Sequence, residues 1–179
     1  MNKDTQKNLD ILKNKKVGIF FDDANIFYAA VKNKWKISIY KFKEFFTNYC
    51  DLIFFNYYVS LPEKKDGAYL KSFKFINSID KIVTIKQKTI KYIFNGEHFI
   101  KKANFDIEIC LDVVRNIDYL DVIIVVSGDS DFFELKKYVF ERNRDIIFIC
   151  YSNNMSFELK QGRYILFEQI REFVELKKS

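Results

Sequence analysis

Short runs of apolar residues alternate with longer amphipathic stretches along most of this chain, and the two patterns predict strands and helices in turn. Residues 17–21 and 121–126 are apolar on both faces, which is typical of strands covered on each side. In the first predicted helix, Phe27, Ala30 and Val31 share one apolar face. The predicted strands are residues 17–21, 52–59, 81–86, 121–126 and 145–150, and the predicted helices are residues 25–34, 38–50, 66–79, 106–117 and 132–142.

This alternation predicts an α/β fold, a Rossmann-like three-layer sandwich with a mainly parallel central sheet. Residues 91–100 depart from it, because two short apolar runs joined at Asn95-Gly96 are typical of a β-hairpin. We therefore expect a small hairpin insertion. Residues 1–16 are polar and lysine-rich and are predicted to form a tail, either frayed or a peripheral helix, ahead of one domain over residues 17–179.

The composition favours one ordered globular domain. The 179 residues are close to the usual size of a domain, and 30% of them are charged. The chain contains no apolar run of about 18 residues, the length of a membrane-spanning helix, and its first residues lack the apolar core of a secretory signal. We expect a cytoplasmic protein without a membrane segment.

The residues available for chemistry are mainly carboxylates. The three cysteines form no C-x-x-C pair, so a zinc site is not expected and buried apolar roles are favoured. His98 is the only histidine and lies beside the predicted hairpin tip. A mechanism based on histidine would have to use this one residue, so any catalysis should depend on acidic side chains.

The positive charge is concentrated in one segment. Residues 64–102 contain ten lysines and three acidic residues, a net +7 against +6 for the whole chain. Aromatic residues are interleaved with these lysines, as in proteins that bind single-stranded nucleic acid, although a solvated lysine-rich surface explains the pattern equally well. The candidate nucleic-acid contacts, here called the basic arm, are Lys86, Lys88, Lys91, Lys101 and Lys102.

Acidic residues follow the two most apolar strands. Asp22 ends the first, and the sequence Ser127-Gly128-Asp129-Ser130-Asp131 follows the strand at 121–126. Asp106 and Asp112 lie on the helix before that second strand. Ligands of open α/β sheets bind beyond the carboxyl ends of strands, so these residues are expected at one edge of the sheet.

Each acid also has a structural explanation. Asp22, Asp106 and Asp131 could each cap a helix N-terminus, and Asp112 could belong to a solvated helix face. Several carboxylates at one sheet edge would repel one another, however, and a hard divalent cation removes that repulsion. Their oxygen-only ligands predict a site for Mg²⁺ or Mn²⁺.

Three motifs in order resemble the NYN domain, the LabA-like branch of the PIN-like nucleases. They are Asp22-Asp23-Ala24-Asn25, the helix segment from Asp106 to Asp112, and Ser127-Gly128-Asp129-Ser130-Asp131-Phe132, within a likeness that extends from about residue 17 to about residue 167. Two positions depart from the family pattern. Asp23 stands where the family often has Gly, and Asn104-Phe105 precedes Asp106 where a Gly is common.

The resemblance implies a PIN-like fold and a Mg²⁺- or Mn²⁺-dependent ribonuclease that leaves a 5′-phosphate and a 3′-hydroxyl. The implied catalytic residues are Asp22, Asp106, Asp112, Asp129 and Asp131. Among them Asp22, Asp112, Asp129 and Asp131 would hold the cation, with Asp106 as a ligand or water-orienting acid. Asn25 and Ser127 would orient carboxylates or contact phosphate.

Other functions stay open on the sequence alone. A catalytically silent nucleic-acid-binding or assembly module could retain the same fold, and acidic metal sites on doubly wound folds also serve DNA nucleases and phosphatases. The basic arm favours a polymeric substrate over a small phosphate ester. Only the resemblance favours RNA over DNA. The number of cations, the target and the oligomeric state, with a homodimer as one option, are not determined by the sequence.

Overall fold

In a computed structural model of the chain, which describes residues 1–177 apart from the side chains of residues 99–102, a six-stranded sheet carries the fold. The strands are β1 (Lys16–Asp22), β2 (Asp51–Leu61), β3 (Thr84–Thr89), β4 (Lys91–Phe94), β5 (Phe99–Lys102), β6 (Val122–Val126), β7 (Asp145–Cys150) and β8 (Arg163–Leu166). The helices are α1 (Lys3–Asp10), α2 (Asp23–Asn33), α3 (Ile39–Thr47), α4 (Tyr69–Ile79), α5 (Asp106–Asn116), α6 (Phe133–Glu141), α7 (Phe157–Lys160) and α8 (Arg171–Val174). The sheet order is β3-β2-β1-β6-β7-β8, and every neighbouring pair is parallel, which confirms the predicted α/β class.

Helices cover both faces of this sheet, as adjacent residues of β2 illustrate. Tyr57 stacks on Phe21 of β1, next to Phe42 of α3. Side chains alternate between faces along a strand, so Tyr58 points to the opposite side and contacts Phe105 at the start of α5. The central strands β1 and β6 are buried on both sides, which explains their continuous apolar runs.

The N-terminal segment is a docked helix rather than a frayed tail. Leu9 and Leu12 are fully buried in the core. The Thr5 hydroxyl donates to Gln169 Oε1 at 2.6 Å, and Asn8 Nδ2 donates to the backbone oxygen of Tyr164 at 2.8 Å. These contacts attach α1 to the β8 edge of the sheet.

The predicted apolar face of α2 is wrong for two of its three residues. Phe27 and Val31 are about half exposed, at 49% and 57%, whereas Ala30 is buried as expected. The buried face is formed by Ile26 and Ala29 together with Ala30. Because α2 has apolar residues around most of its circumference, hydrophobic spacing alone did not identify which side packs on the sheet.

The elements around the basic segment agree with the sequence in kind more than in bounds. The strand expected at residues 81–86 begins at Thr84, and the helix expected from residue 66 begins at Tyr69. The hairpin insertion is confirmed, with β4 and β5 antiparallel and Gly96 at φ 99° in the turn. Strand β8 was not predicted. Within residues 1–177 no helix is long and apolar enough to cross a membrane.

Candidate functional site

The candidate site lies where the order of the sheet changes direction. Strands β1 and β6 are adjacent and parallel, and the chain leaves them toward opposite edges of the sheet. Such a switch point opens a crevice at the carboxyl ends of the two strands. Asp22 is the last residue of β1, and Ser127 follows β6. Their side chains meet there, since Ser127 Oγ donates to Asp22 Oδ2 at 3.2 Å.

Asp22 is held rigidly and is nearly buried, with 4% of its surface exposed. It caps the N-terminus of α2, because the backbone N–H of Asn25 donates to Asp22 Oδ1 at 3.3 Å. Burial raises the pKa of Asp22 to about 6, and repulsion from Asp106 and Asp23 adds to the increase, against the lowering effect of the two hydrogen bonds. The carboxylate is thus fixed in place and poorly compensated.

Asp106 of α5 lies near Asp22, and Asp129 and Asp131 of the loop after β6 lie near Asp106. These four acids, Asp22, Asp106, Asp129 and Asp131, are called the acidic cluster. Asp106 is the first residue of α5. Asp129 caps the short 3₁₀ helix at residues 130–132 by accepting from the Asp131 backbone N–H at 3.1 Å. Burial and the charges of Asp129 and Asp131 raise the pKa of Asp106, partly offset by a hydrogen bond from Asn104 and by the charge of Lys88.

The acidic cluster fits a hard divalent cation by the chemistry of its donors. All its ligands are carboxylate oxygens, the type that Mg²⁺ and Mn²⁺ prefer. Burial is the main cause of the raised pKa values of Asp22 and Asp106, and repulsion from neighbouring acids adds to it; a bound cation would relieve both costs. Among the described residues, no three acidic, histidine or cysteine side chains already converge closely enough to hold a metal ion. The cluster is therefore defined by its position and charge.

A hydrogen-bond network joins the loops around Asn25. Asn25 Oδ1 accepts from the backbone N–H of Gly128 at 3.0 Å and from Asn154 Nδ2 at 2.5 Å. Gly128 is packed so closely that an added Cβ would lie 2.0 Å from the backbone oxygen of Asn154. Asn25 was predicted to orient neighbouring groups. Asn154 was not predicted, because it follows a different strand and only the fold brings it here.

Asp23, the departure from the family pattern, turns away from the acidic cluster toward β2. The hydroxyl of the buried Tyr57 donates a short hydrogen bond to Asp23 Oδ1. Burial raises the pKa of Asp23 to about 6, while that hydrogen bond and the positive charge of Lys36 act in the opposite direction. The extra acid thus has partners of its own, a tyrosine and a lysine that the sequence did not associate with the site.

Asp112 has a different set of partners from Asp106. Tyr58 donates its hydroxyl to Asp112 Oδ2 at 2.9 Å, Lys86 Nζ lies 3.3 Å from the same oxygen, and Arg115 Nη1 lies 3.4 Å from Oδ1. Six residues along a helix correspond to a rise of about 9 Å and a rotation of about 240°. The two acids of α5 therefore face different surroundings, and Asp106 is the one next to Asp129 and Asp131.

The basic arm borders the acidic cluster on the α5 side. Lys88 Nζ lies 2.7 Å from Glu108 Oε1 and 4.3 Å from the ring centroid of Phe105. Lys86 pairs with Asp112 as described above, and Lys91 is exposed on β4. The predicted contacts Lys101 and Lys102 have side chains outside the described residues. Two members of the arm are thus paired with acids of α5 and reach the site through that helix.

The cysteines and the histidine contribute no candidate nucleophile or base. Cys150 is buried, and Cys50 and Cys110 are half-buried; all three are free thiols. Burial raises the pKa of Cys50 and of Cys150 to about 12, which keeps both protonated at neutral pH. His98 is exposed in the turn between β4 and β5.

The parallel sheet with its helical layers and the acidic residues at its switch point define an α/β protein with a Rossmann-like sheet. Residues 16–166 match the family model of the NYN domain, and the chain belongs to this family. The predicted resemblance is therefore confirmed. NYN domains are generally nucleases, so the chain has a nuclease-like fold.

Two relatives show the extent of the similarity. The chain is 28% identical over 171 residues to the low amplitude and bright protein LabA of Synechococcus elongatus, a match covering 89% of this chain and 88% of LabA. It shares its fold with the crystal structure of a protein of unknown function from Vibrio parahaemolyticus, with a TM-score of 0.71 at 17% identity. That superposition covers 97% of this chain and 99% of the other, so the whole fold is common to both.

Proposed function

We propose that this NYN domain is an endoribonuclease that depends on Mg²⁺ or Mn²⁺. The observation that carries the proposal is the acidic cluster at the β1–β6 switch point. Burial and the charge of Asp106 raise the pKa of Asp22 there, and burial and the charges of Asp129 and Asp131 raise that of Asp106. The nuclease character of NYN domains supports the same assignment.

Residues of the acidic cluster would hold the cation, with Asp106 rather than Asp112 as the contribution of α5. When bound, the cation lowers the pKa of a water molecule and neutralises charge on the phosphate that is attacked. Ser127 and the backbone of Asn25 fix the orientation of Asp22. Asn25 also holds the loop at Gly128, which precedes Asp129 and sets its position.

Asp112 and Tyr58 would act on the substrate side of the site. The Asp112 carboxylate holds Lys86 Nζ, and Tyr58 fixes that carboxylate from the sheet. Asp112 would thus orient Lys86 before RNA binds. A phosphate of the RNA would then take the place of the carboxylate as the partner of the lysine. The remaining basic-arm residues would supply the attraction that an acidic crevice lacks for a polyanion.

The deciding experiment is cleavage of end-labelled RNA and DNA of one sequence with Mg²⁺, Mn²⁺ or a chelator. We expect cation-dependent cleavage of RNA with 5′-phosphate and 3′-hydroxyl ends. Asp129→Asn should reduce the rate by more than about a hundredfold. The control Asp118→Asn removes an acid whose side chain is 73% exposed near the opposite end of the sheet, and it should leave the rate unchanged. If only DNA is cleaved, the substrate is DNA and the ribonuclease proposal is wrong.

One observation favours a second candidate, a silent nucleic-acid-binding module. The described carboxylates do not already converge on one point, and Asp112 is neutralised by Lys86 and Arg115. A module of this kind would bind RNA in chelator but cleave neither polymer with any cation. The same assay therefore distinguishes the two functions.

A further inference from the structure

The outward face of α2 carries large apolar side chains that the core does not use. Phe27 is 49% exposed and Tyr28 is 67% exposed, and Val31 continues the same face at 57%. Together with Ala24 these residues have the spacing of a single helical stripe, i, i+3, i+4 and i+7. The rings of Phe27 and Tyr28 lie edge to face at 5.7 Å. The chain thus presents an aromatic pair to solvent on α2, the helix that Asp22 caps.

This aromatic stripe is connected to the acidic cluster and bordered by positive charge. Three exposed lysines follow the stripe: Lys32, Lys34 and Lys36. Lys36 Nζ lies 5.8 Å from the ring centroid of Phe27, and its charge also acts on Asp23, the neighbour of Asp22. One cation therefore links the exposed ring to the start of the helix at the site.

We propose that Phe27 and Tyr28, with Lys36 beside them, form a base-stacking subsite for single-stranded nucleic acid that leads away from the acidic cluster. Aromatic faces stack any base, and a lysine alongside pairs with the phosphate that follows it. Phe27 is five residues from Asp22, a rise of about 7.5 Å along α2. At 3.4 Å per nucleotide of a stacked strand this separation is about two nucleotides.

Charge complementarity selects this occupant. A protein partner could cover an apolar stripe, but three lysines within five residues favour a polyanion over a neutral surface. The subsite also lies on the other face of the sheet from the basic arm. Asp23 of α2 contacts Tyr57 of β2, whereas Lys88 of the arm contacts Glu108 of α5, which packs on the Tyr58 face. A strand held at both places would cross the acidic cluster. The inference rests on the proposed function, because it takes the acidic cluster to be the place of cleavage.

The test measures binding of a 12-nucleotide RNA in chelator, so that cleavage does not contribute. The double variant Phe27→Leu/Tyr28→Leu keeps exposed apolar side chains but removes both rings. We expect its affinity for this RNA to fall by at least about fivefold, because the variant loses at least one stacking contact between a base and an aromatic ring. An abasic strand of equal length should bind the variant and the unchanged protein equally, because it has no bases to stack.

Two further variants separate stacking from other effects. The control Tyr119→Leu removes a ring that is 70% exposed just before β6, at the opposite end of the sheet, and should not change affinity. Lys36→Ala should flatten the dependence of log affinity on log salt by about 0.7, the value for one phosphate contact with a single strand. The ring variant should leave that slope unchanged. Unfolding curves of all variants should match, because the replaced side chains are exposed.

The outcomes distinguish this inference from the proposed function. If the unchanged protein binds RNA and the double Leu variant binds it as tightly, the subsite is wrong and the nuclease proposal stands. If the abasic strand loses affinity equally, the rings act on something other than bases and the inference is also wrong. If the unchanged protein is a dimer and the double Leu variant is a monomer, the stripe is a contact between two copies and the inference is wrong. Absence of RNA binding by the unchanged protein would overturn both proposals.

Discussion

Replacing Asp22 with asparagine should stabilise the folded protein at alkaline pH. Burial, with repulsion from Asp106 and Asp23, raises the pKa of Asp22 from the ordinary 3.8 to about 6. A difference of about two pKa units corresponds to about 3 kcal/mol. Because the folded-state pKa is the higher one, the protonated group favours folding below about pH 4, and this contribution is lost as the pH rises through about 6. Ionised Asp22 therefore destabilises the fold at pH 8.

The asparagine variant removes this penalty and keeps the local structure. Asparagine is as good an N-cap as aspartate, and its amide can still pair with the Ser127 hydroxyl. We expect Asp22→Asn to gain about 1–3 kcal/mol at pH 8, the lower figure allowing for the cost of burying the amide. For a chain of this size the melting temperature should rise by about 3–10 °C. At pH 4 the two proteins should melt together.

Thermal unfolding followed by circular dichroism at pH 4, 6 and 8 gives the measurement. Asp118→Asn is the matched control, because its carboxylate is 73% exposed and its ion pair with Arg142 lies at the surface, where such pairs contribute little to stability. Its stability difference should stay small at all three pH values. A divalent cation should reverse the order of stability of the two proteins. At 100 times its dissociation constant it stabilises the unchanged protein by about 2.7 kcal/mol, and the Asp22→Asn variant should gain much less. An Asp22→Asn protein that is less stable at pH 8 than the unchanged chain would refute the electrostatic reasoning and make Asp22 a structural cap.

Three more expectations follow from the site. Gly128→Ala should cost several kcal/mol in urea unfolding because its Cβ would meet a backbone oxygen at 2.0 Å, whereas Gly67→Ala has open space and should be neutral. In a melting assay Asp106→Asn should lose the response to Mn²⁺ and Asp112→Asn should keep it; the reverse would return Asp112 to the ligand set. Charge reversal of the basic-arm residues other than Lys86 should weaken RNA binding and lower its salt slope, and the response to cation should stay intact. The control reverses two exposed lysines of α1, Lys3 and Lys7. An unchanged slope in the arm variant would contradict a role of the arm in RNA binding.

The fold was predictable where burial is extreme. Strands β1 and β6 are buried on both faces, so their apolar runs had a single explanation and located the switch point correctly. The side of α2 that packs was not predictable, because apolar residues occur on both sides of that helix. Strand β8 has only four residues, three of them half-buried, so it has no long apolar run that would identify it in the sequence.

The candidate site was predictable as far as strand ends define it. Asp22 and Ser127 come directly after apolar runs, and the structure joins their side chains. The partners Tyr57 and Asn154 were not predictable, since each belongs to another strand or loop and neither has a motif. Asp112 illustrates a further limit. Its spacing from Asp106 is visible in the sequence, but only the packing of α5 determines which of the two faces the loop after β6.

The two interpretations of the acids, helix caps or cation ligands, are compatible in this structure. Asp22 caps α2, Asp106 opens α5, and Asp129 caps the turn that leads into α6, so three helical N-termini point toward the acidic cluster. Each N-terminus favours a nearby negative charge by about 0.3–1 kcal/mol. The roughly 3 kcal/mol implied for Asp22 is what remains after its capping hydrogen bonds have lowered the pKa, so capping compensates only part of the cost. Capping thus lets the chain fold with four acids in one crevice, and the charge left uncompensated is what a divalent cation would neutralise.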